Sequence, residues 1–245
     1  MTPETLASAA VPAAPSLDPA TRATLFVVIA AYNEAGAIGR VVSELREVYS
    51  NVIVVDDGSA DDTWRNARDA GAVVLRHIIN RGQGAALQTG IAYALGAGAQ
   101  IVITFDADGQ HRVEDIAALA APIVRGETEI SLGSRFLADR DAIPAGRRLV
   151  LLAAVLFMRI TSGVKLTDAH NGLRAFSRRA AAYLDIQLDR MAHASEIIDQ
   201  IRSSGLSYRE VPVRVRYTSY SLQKGQRSSA AFRVAWDYLI GRLLR

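Results

Sequence analysis

Apolar and polar residues follow two rhythms along this chain, and the switch between them recurs. Short runs rich in apolar and β-branched residues cover 25–31, 51–56, 72–76 and 101–105, while stretches with apolar residues three and four apart cover 35–48, 61–69, 85–95 and 113–124. The runs suit strands buried on both faces, and the stretches suit amphipathic helices. Their alternation predicts parallel βαβ units and an α/β fold. Each run ends in a polar cluster, which is where open α/β sheets place their ligands.

Beyond residue 124 the rhythm loosens. The pattern predicts a strand over 130–132, an apolar helix over 149–160, a helix over 192–203, a strand over 211–215 and a closing helix over 230–244. No internal repeat and no clear linker interrupts the chain, so a single domain is expected over 23–217. The first 22 residues, rich in Ala, Pro and Thr, lack the basic start and leucine-rich core of a secretion signal and read as a flexible leader. Residues 218–245 form a basic, amphipathic extension.

Composition narrows the chemistry. With 245 residues, half of them hydrophobic, an ordinary buried core is expected. There is no cysteine, which excludes disulfides, thiolate zinc sites and cysteine nucleophiles and fits a reducing compartment. Any metal must therefore be held by oxygen or imidazole. The net charge of +3 is unevenly spread, since residues 202–245 carry nine Lys/Arg against two acids and leave the preceding body acidic. A basic tail on an acidic body points to an anionic partner such as a phosphate or a membrane surface, or to a solvated face. No run approaches the roughly 20 apolar residues that span a bilayer. The longest, 149–158, is flanked by arginines and suits a buried or interfacial helix.

Four clusters carry the candidate chemistry. Ala31-Tyr32-Asn33-Glu34 ends the first strand, where a ring and two short polar side chains could hold a flat heterocycle, although Asn33 or Glu34 could equally cap the next helix. Asp56-Asp57-Gly58-Ser59 ends the second strand and could offer a carboxylate to a base or ribose, or could simply make a turn. Asp106-Ala107-Asp108-Gly109-Gln110-His111 is the most informative. Two carboxylates two residues apart at the end of an apolar strand can both face one hard cation, more than a helix cap requires. The fourth cluster, Thr167-Asp168-Ala169-His170-Asn171-Gly172-Leu173-Arg174, places an acid and an arginine around Gly.

In this order, and with Asn80-Arg81-Gly82-Gln83-Gly84 between the second and third clusters, the motifs resemble family 2 glycosyltransferases of the GT-A fold. More narrowly they resemble the dolichyl-phosphate mannose synthase and polyprenyl-phosphate glycosyltransferase branch, over residues 25–217. The resemblance implies a Rossmann-like, mostly parallel central sheet flanked by helices, with a C-terminal amphipathic helix. It implies that Tyr32, Asn33, Glu34, Asp57 and Gly82 lie at the nucleotide, and that Asp106, Asp108 and Gln110 hold Mg2+ or Mn2+ and the diphosphate. Arg135, in Gly133-Ser134-Arg135-Phe136, matches an arginine that neutralises donor or acceptor phosphate, with a surface ion pair as the alternative. Asp168 and Arg174 would frame the acceptor phosphate, and Asp108, Asp168 and Arg174 form the implied catalytic set. His170 reads as a solvated loop residue, and Glu196 either faces the site or is solvated.

The implied reaction is inverting, metal-dependent transfer of one sugar from a nucleotide-sugar (GDP-mannose or a UDP-hexose) to a polyprenyl or dolichyl phosphate. An anionic acceptor removes the need for a general base. The alternative is non-processive transfer to a hydroxyl of a glycolipid or polysaccharide precursor. The Gln-x-x-Arg-Trp element of processive polymerases is absent, which favours a single transfer. Phe232, Trp236, Leu239, Ile240 and Leu243 recur at helical spacing among arginines, which suits a helix at a membrane interface, packing on the domain, or a homodimer. The expected setting is cytoplasmic and peripheral, on the cytoplasmic face of a membrane, with no nucleic-acid partner.

Overall fold

The computed structural model describes residues 16–138, 163–168, 171–188 and 192–216, with scattered helical positions between 148 and 159. Seven strands form one sheet: β1 (Leu25–Ala31), β2 (Asn51–Asp56), β3 (Val73–Arg76), β4 (Ile101–Asp106), β5 (Ile130–Ser134), β6 (Arg174–Ser177) and β7 (Tyr208–Pro212). Their order is β3-β2-β1-β4-β6-β5-β7. β1 pairs in parallel with β2 and β4, β2 with β3, and β5 with β7, whereas β6 runs antiparallel to both β4 and β5. The helices are α1 (Pro19–Ala23), α2 (Ile38–Arg46), α3 (Thr63–Asp69), α4 (Gln83–Gly96), α5 (Glu114–Val124), α6 (Arg135–Ala138), α7 (Arg178–Tyr183) and α8 (Ala192–Ser204).

Successive strand residues point to opposite faces, so β1 feeds two cores. Leu25, Val27 and Ile29 pack with Ile38, Val41 and Leu45 of α2 and Ile116 and Leu119 of α5. Phe26 and Val28 pack on the other face with Leu87 and Ile91 of α4 and Ile197 and Ile201 of α8. The i, i+3, i+4, i+7 spacing of Ile38, Val41, Val42 and Leu45 makes α2 amphipathic, and burying each such side chain contributes about 1.5–3 kcal/mol. Gly90 lets α4 lie directly on the sheet, since a Cβ there would run into Val28 Cγ1 and stand 3.2 Å from Val55 Cγ2.

The expected α/β sheet is present, with several local differences. The strand expected at 211–215 is β7, three residues earlier. Val213 to Val215 lie past the ladder, with Val213 N donating to Ser134 O (3.0 Å) and Val215 bridging to His111. Strand β6 and helices α1, α6 and α7 have no counterpart among the predicted elements. The leader expected over 1–22 is helical toward its end, where Asp18 caps α1 by accepting from Thr21 N, and Leu17 is buried. Of the helix expected at 149–160, residues 151–153, 155, 156 and 159 are helical and the rest lie outside the described residues, as do all of 218–245. Among the described residues no helix is long and apolar enough to cross a membrane.

Candidate active site

The chain runs outward from β1 through β2 to β3 and returns to β4 on the other side of β1. That reversal leaves a crevice at the carboxyl ends of β1 and β4, where Ala30 and Asp106 face each other in register. The first cluster lines one side. Tyr32 is 47% exposed at its mouth. Asn33 adopts a left-handed backbone (φ 54°), a conformation that asparagine tolerates better than most residues. Its N–H donates to Ser59 Oγ (2.9 Å) and its Oδ1 accepts from Ala60 N (3.0 Å), lacing the β1 and β2 loops together. Glu34 N donates to Thr63 Oγ1 (2.8 Å). The N-cap of α2 is Ala37, with no side-chain cap bond, so neither Asn33 nor Glu34 serves as its cap.

Both acids at the end of β2 are turned inward. Asp56 accepts from Ser59 N (3.1 Å) and Arg76 Nε (3.0 Å). Asp57, 2% exposed, accepts from Gly82 N (2.7 Å) and Arg81 N (3.0 Å) and pairs with His77 Nδ1 (2.7 Å). Asp57, expected at the nucleotide, thus holds the β3–α4 loop in place through both of its oxygens. That loop packs so closely that a Cβ on Gly58 would lie 2.7 Å from Ile79 C and 2.8 Å from Asn80 N. Gly82, at positive φ, opens α4.

At the end of β4, Asp106, Asp108 and Gln110 are partly exposed while Ala107 and Gly109 are buried, so the turn presents its three polar side chains to one side. Asp108 accepts from Gln110 N (2.9 Å) and Gln110 Nε2 (2.6 Å), and α5 begins after Val113 without a side-chain cap. Asp108 is thus part of the turn and not a helix cap. Burial pushes its carboxyl above the ordinary range, helped by the neighbouring Asp106 charge. Burial acts on Asp106 in the same sense but is outweighed by His111, Arg174 and His193, which hold it below the ordinary range. His111 Nε2 lies 2.8 Å from Asp106 Oδ2, and its ring meets Phe105 edge to face.

Two like-charged carboxylates at one turn fit a hard cation that shares its ligands with phosphate oxygens, which is how Mg2+ is usually held. Gln110 would join by turning its amide oxygen in. Among the described residues no group of three His, Cys, Asp or Glu side chains forms a protein-only cage.

The residues expected on the acceptor side come from the second half. Arg135 and Asp168 are 7% and 3% exposed and form a bidentate pair, Nε to Oδ2 at 2.6 Å and Nη2 to Oδ1 at 2.7 Å, with Arg135 N also donating to Oδ2 (3.1 Å). The surface-pair alternative is excluded. Arg135, expected at the donor or acceptor phosphate, and Asp168, expected to frame the acceptor phosphate, are each other's partners, because a buried guanidinium needs a close counter-charge. Arg174 is 4% exposed, donates through Nε to Asn171 O (3.0 Å), and meets no acceptor at its terminal nitrogens among the described residues. Burial pulls it down to about 10, against Asp106 and Asp168, so it stays charged at neutral pH. Asp106, Arg174, Asp168 and Arg135 therefore alternate in sign across the site.

Asn171 and His193 are not among the expected site residues. Asn171 is 4% exposed and its Nδ2 has no partner, beside Arg174. His193, on α8, is close enough to Asp106 to lower its carboxyl. Glu196 is buried and accepts from Gln187 N (3.1 Å) and Leu188 N (2.7 Å), so it holds the segment before α8 and does not face solvent. His170 lies outside the described residues.

The sequence model of glycosyl transferase family 2 matches residues 26–184. An uncharacterized protein of Methanocaldococcus jannaschii is 37% identical over 224 residues, covering 89% of this chain and 92% of its own length. The UDP-N-acetylglucosamine–dolichyl-phosphate N-acetylglucosaminyltransferase of Methanococcus voltae is 32% identical over 238 residues, covering 88% of this chain and 95% of its own length. Among solved structures, glucosyl-3-phosphoglycerate synthase from Mycobacterium tuberculosis shares the fold, with a TM-score of 0.65 at 22% identity over 88% of this chain and 80% of that one. Crystals of that protein hold UDP with Mg2+, or UDP-glucose with Mn2+ and phosphoglyceric acid.

Proposed function

The chain belongs to glycosyl transferase family 2 and is a glycosyltransferase of the GT-A fold; from that premise we propose that it moves one sugar from a nucleotide-sugar to a polyprenyl or dolichyl phosphate, with inversion. GDP-mannose or a UDP-hexose is the proposed donor. The observation that carries the acceptor is Arg174, a buried guanidinium whose terminal nitrogens meet no acceptor among the described residues, next to the unpartnered Asn171 Nδ2. Donors without acceptors fit a phosphate, whose oxygens would complete them. The Methanococcus voltae relative, whose name specifies dolichyl phosphate, supports the same acceptor class.

Asp106 and Asp108, with the Gln110 amide oxygen, would hold Mg2+ or Mn2+, which supplies positive charge to a departing diphosphate. Asn33 and the Asp57-held loop fix the rim where the nucleotide would sit, and Tyr32 offers a ring at its mouth. Arg174 and Asn171 would place an acceptor phosphate oxygen in line with the anomeric carbon. That oxygen forms the new bond as the bond to the nucleoside diphosphate breaks, and the leaving group takes the electron pair. No proton moves, so positioning and charge balance suffice without a general base. Arg216 N donates to Gln110 O (2.8 Å), so the last described residue before the basic extension lies beside this turn. Peripheral membrane contact through that extension would deliver a lipid acceptor to the site.

The test incubates purified protein with labelled UDP- and GDP-sugars, Mn2+ or Mg2+ and polyprenyl phosphate, followed by organic extraction. Label in an acid-labile lipid product is expected. Label found only on a sugar hydroxyl, or only as free sugar, would overturn the acceptor assignment.

A further inference from the structure

We infer that Glu210 is a positioning residue for the acceptor side; the inference rests on the acceptor-phosphate reading of Arg174. Glu210 lies on β7, beyond the residues matched by the family model, and sits opposite Leu132 of β5. Leu132 in turn sits opposite Arg174 of β6, so Glu210 and Arg174 share one row of the sheet, two strands apart.

The Glu210 carboxylate receives four donor contacts from one short segment. Thr167 N donates to both of its oxygens (2.9 Å each), Thr167 Oγ1 to Oε1 (2.8 Å) and Asp168 N to Oε1 (3.0 Å). Because Thr167 Oγ1 gives its proton to Glu210, the 2.6 Å contact with Ser134 Oγ is donated by Ser134, which ties the same segment to the end of β5. The backbone at 167–168 is thus fixed from β7 and β5 together. Its direction sends the Asp168 side chain onto Arg135.

Asp168 has two cations within electrostatic reach, Arg135 and Arg174. Held as it is, it neutralises Arg135 and leaves the terminal nitrogens of Arg174 open. With its backbone released, it could swing onto Arg174 and occupy the place of the acceptor phosphate. Glu210 therefore acts through Asp168 to keep the anion position available, without touching substrate.

The experiment compares the parent with Glu210→Ala and Glu210→Gln, using the full chain, the nucleotide-sugar that supports turnover and polyprenyl phosphate. Glu210→Ala should raise the acceptor KM roughly tenfold or more, as expected for losing hydrogen bonds to a charged group. The donor KM should stay within about twofold, and Glu210→Gln, which keeps one accepting oxygen, should recover part of the loss. An unchanged acceptor KM, or donor and acceptor constants that move together, would overturn the inference. If the parent does not use polyprenyl phosphate, the acceptor reading falls, and amide hydrogen exchange then decides the role of Glu210 alone. Faster exchange at Thr167 and Asp168 in Glu210→Ala supports positioning, whereas unchanged protection refutes it.

Discussion

Gly172→Ala tests whether Asp106 is held where a cation depends on it. Gly172 is not among the positive-φ glycines, so alanine suits its backbone. The obstacle is the neighbour, because a Cβ would stand 2.5 Å from Asp106 Oδ2 and 2.7 Å from its Cγ, and would also crowd Oδ1. A carbon–oxygen contact needs roughly 3.3–3.6 Å, so the carboxylate must retreat by about 1 Å. That movement breaks the 2.8 Å bond from His111 Nε2. A charge-assisted hydrogen bond contributes about 1.5–3 kcal/mol, which is roughly 10- to 150-fold in an equilibrium constant. Mn2+ affinity in the presence of a nucleoside diphosphate, read by electron paramagnetic resonance, should fall by that factor. Overpacking should also cost about 1–3 kcal/mol and lower Tm by roughly 2–4 °C per kcal/mol. Gly96→Ala is the control: Gly96 ends α4 with nothing near its missing Cβ, and alanine there should stabilise the helix by up to about 1 kcal/mol. If Gly172→Ala binds Mn2+ and nucleotide as the parent does, Asp106 is not a cation ligand.

Asp108→Asn should raise Tm while abolishing cation-dependent transfer. Its folded carboxyl lies above the ordinary range, so the charged form opposes folding above the unfolded value, and a neutral isostere relieves that strain; an unchanged or lower Tm would contradict the electrostatic account. Asp168→Asn leaves Arg135 buried without its counter-charge and should cost about 3–5 kcal/mol, a drop in Tm of roughly 6–20 °C by thermal melt. A shift under a degree would show that Arg135 finds another partner. Arg174→Lys keeps the charge but loses the planar fork, so the acceptor KM should rise with the donor KM unchanged in steady-state assays; the opposite split would move Arg174 to the donor side.

What the pattern made legible follows from burial. β1 and β2 match their predicted bounds because their apolar runs are covered on both faces and end sharply in polar clusters. β6 left no trace because it is four residues long, starts on Arg174 and ends on Ser177, too short and too polar at its ends for a period to show. β7 was displaced because its ladder begins on Tyr208 and Arg209, exposed at the sheet edge, while the apolar Val213 and Val215 that drew attention lie past it. At the site, the chain order of the motifs revealed which clusters stand at strand ends. It could not reveal that both Asp56 and Asp57 turn inward, nor that Asp168 reaches back 33 positions to Arg135. The first depends on how the β3–α4 loop folds back over β2, and the second on where β6 is inserted.

The antiparallel β6 is also what brings the two halves of the site together. Had it run parallel to β4, its first residue would lie at the far end of the sheet from Asp106. Running antiparallel, it starts at the crevice, with Arg174 opposite Thr104, two residues before Asp106. Thr104 Oγ1 donates to Gly172 O (2.7 Å) and fixes the entry to β6 against the strand that carries the carboxylates. On the other side Leu132 pairs with Arg174, and β5 ends two residues later at Ser134, so Arg135 emerges at the same rim. The strand ends thus set the Asp106 and Asp108 carboxylates, the Arg174 guanidinium and the Arg135–Asp168 pair along one rim. The proposed transfer to a phosphate would gain most from such fixed spacing, since aligning the acceptor oxygen with the anomeric carbon would be the main task left to the protein.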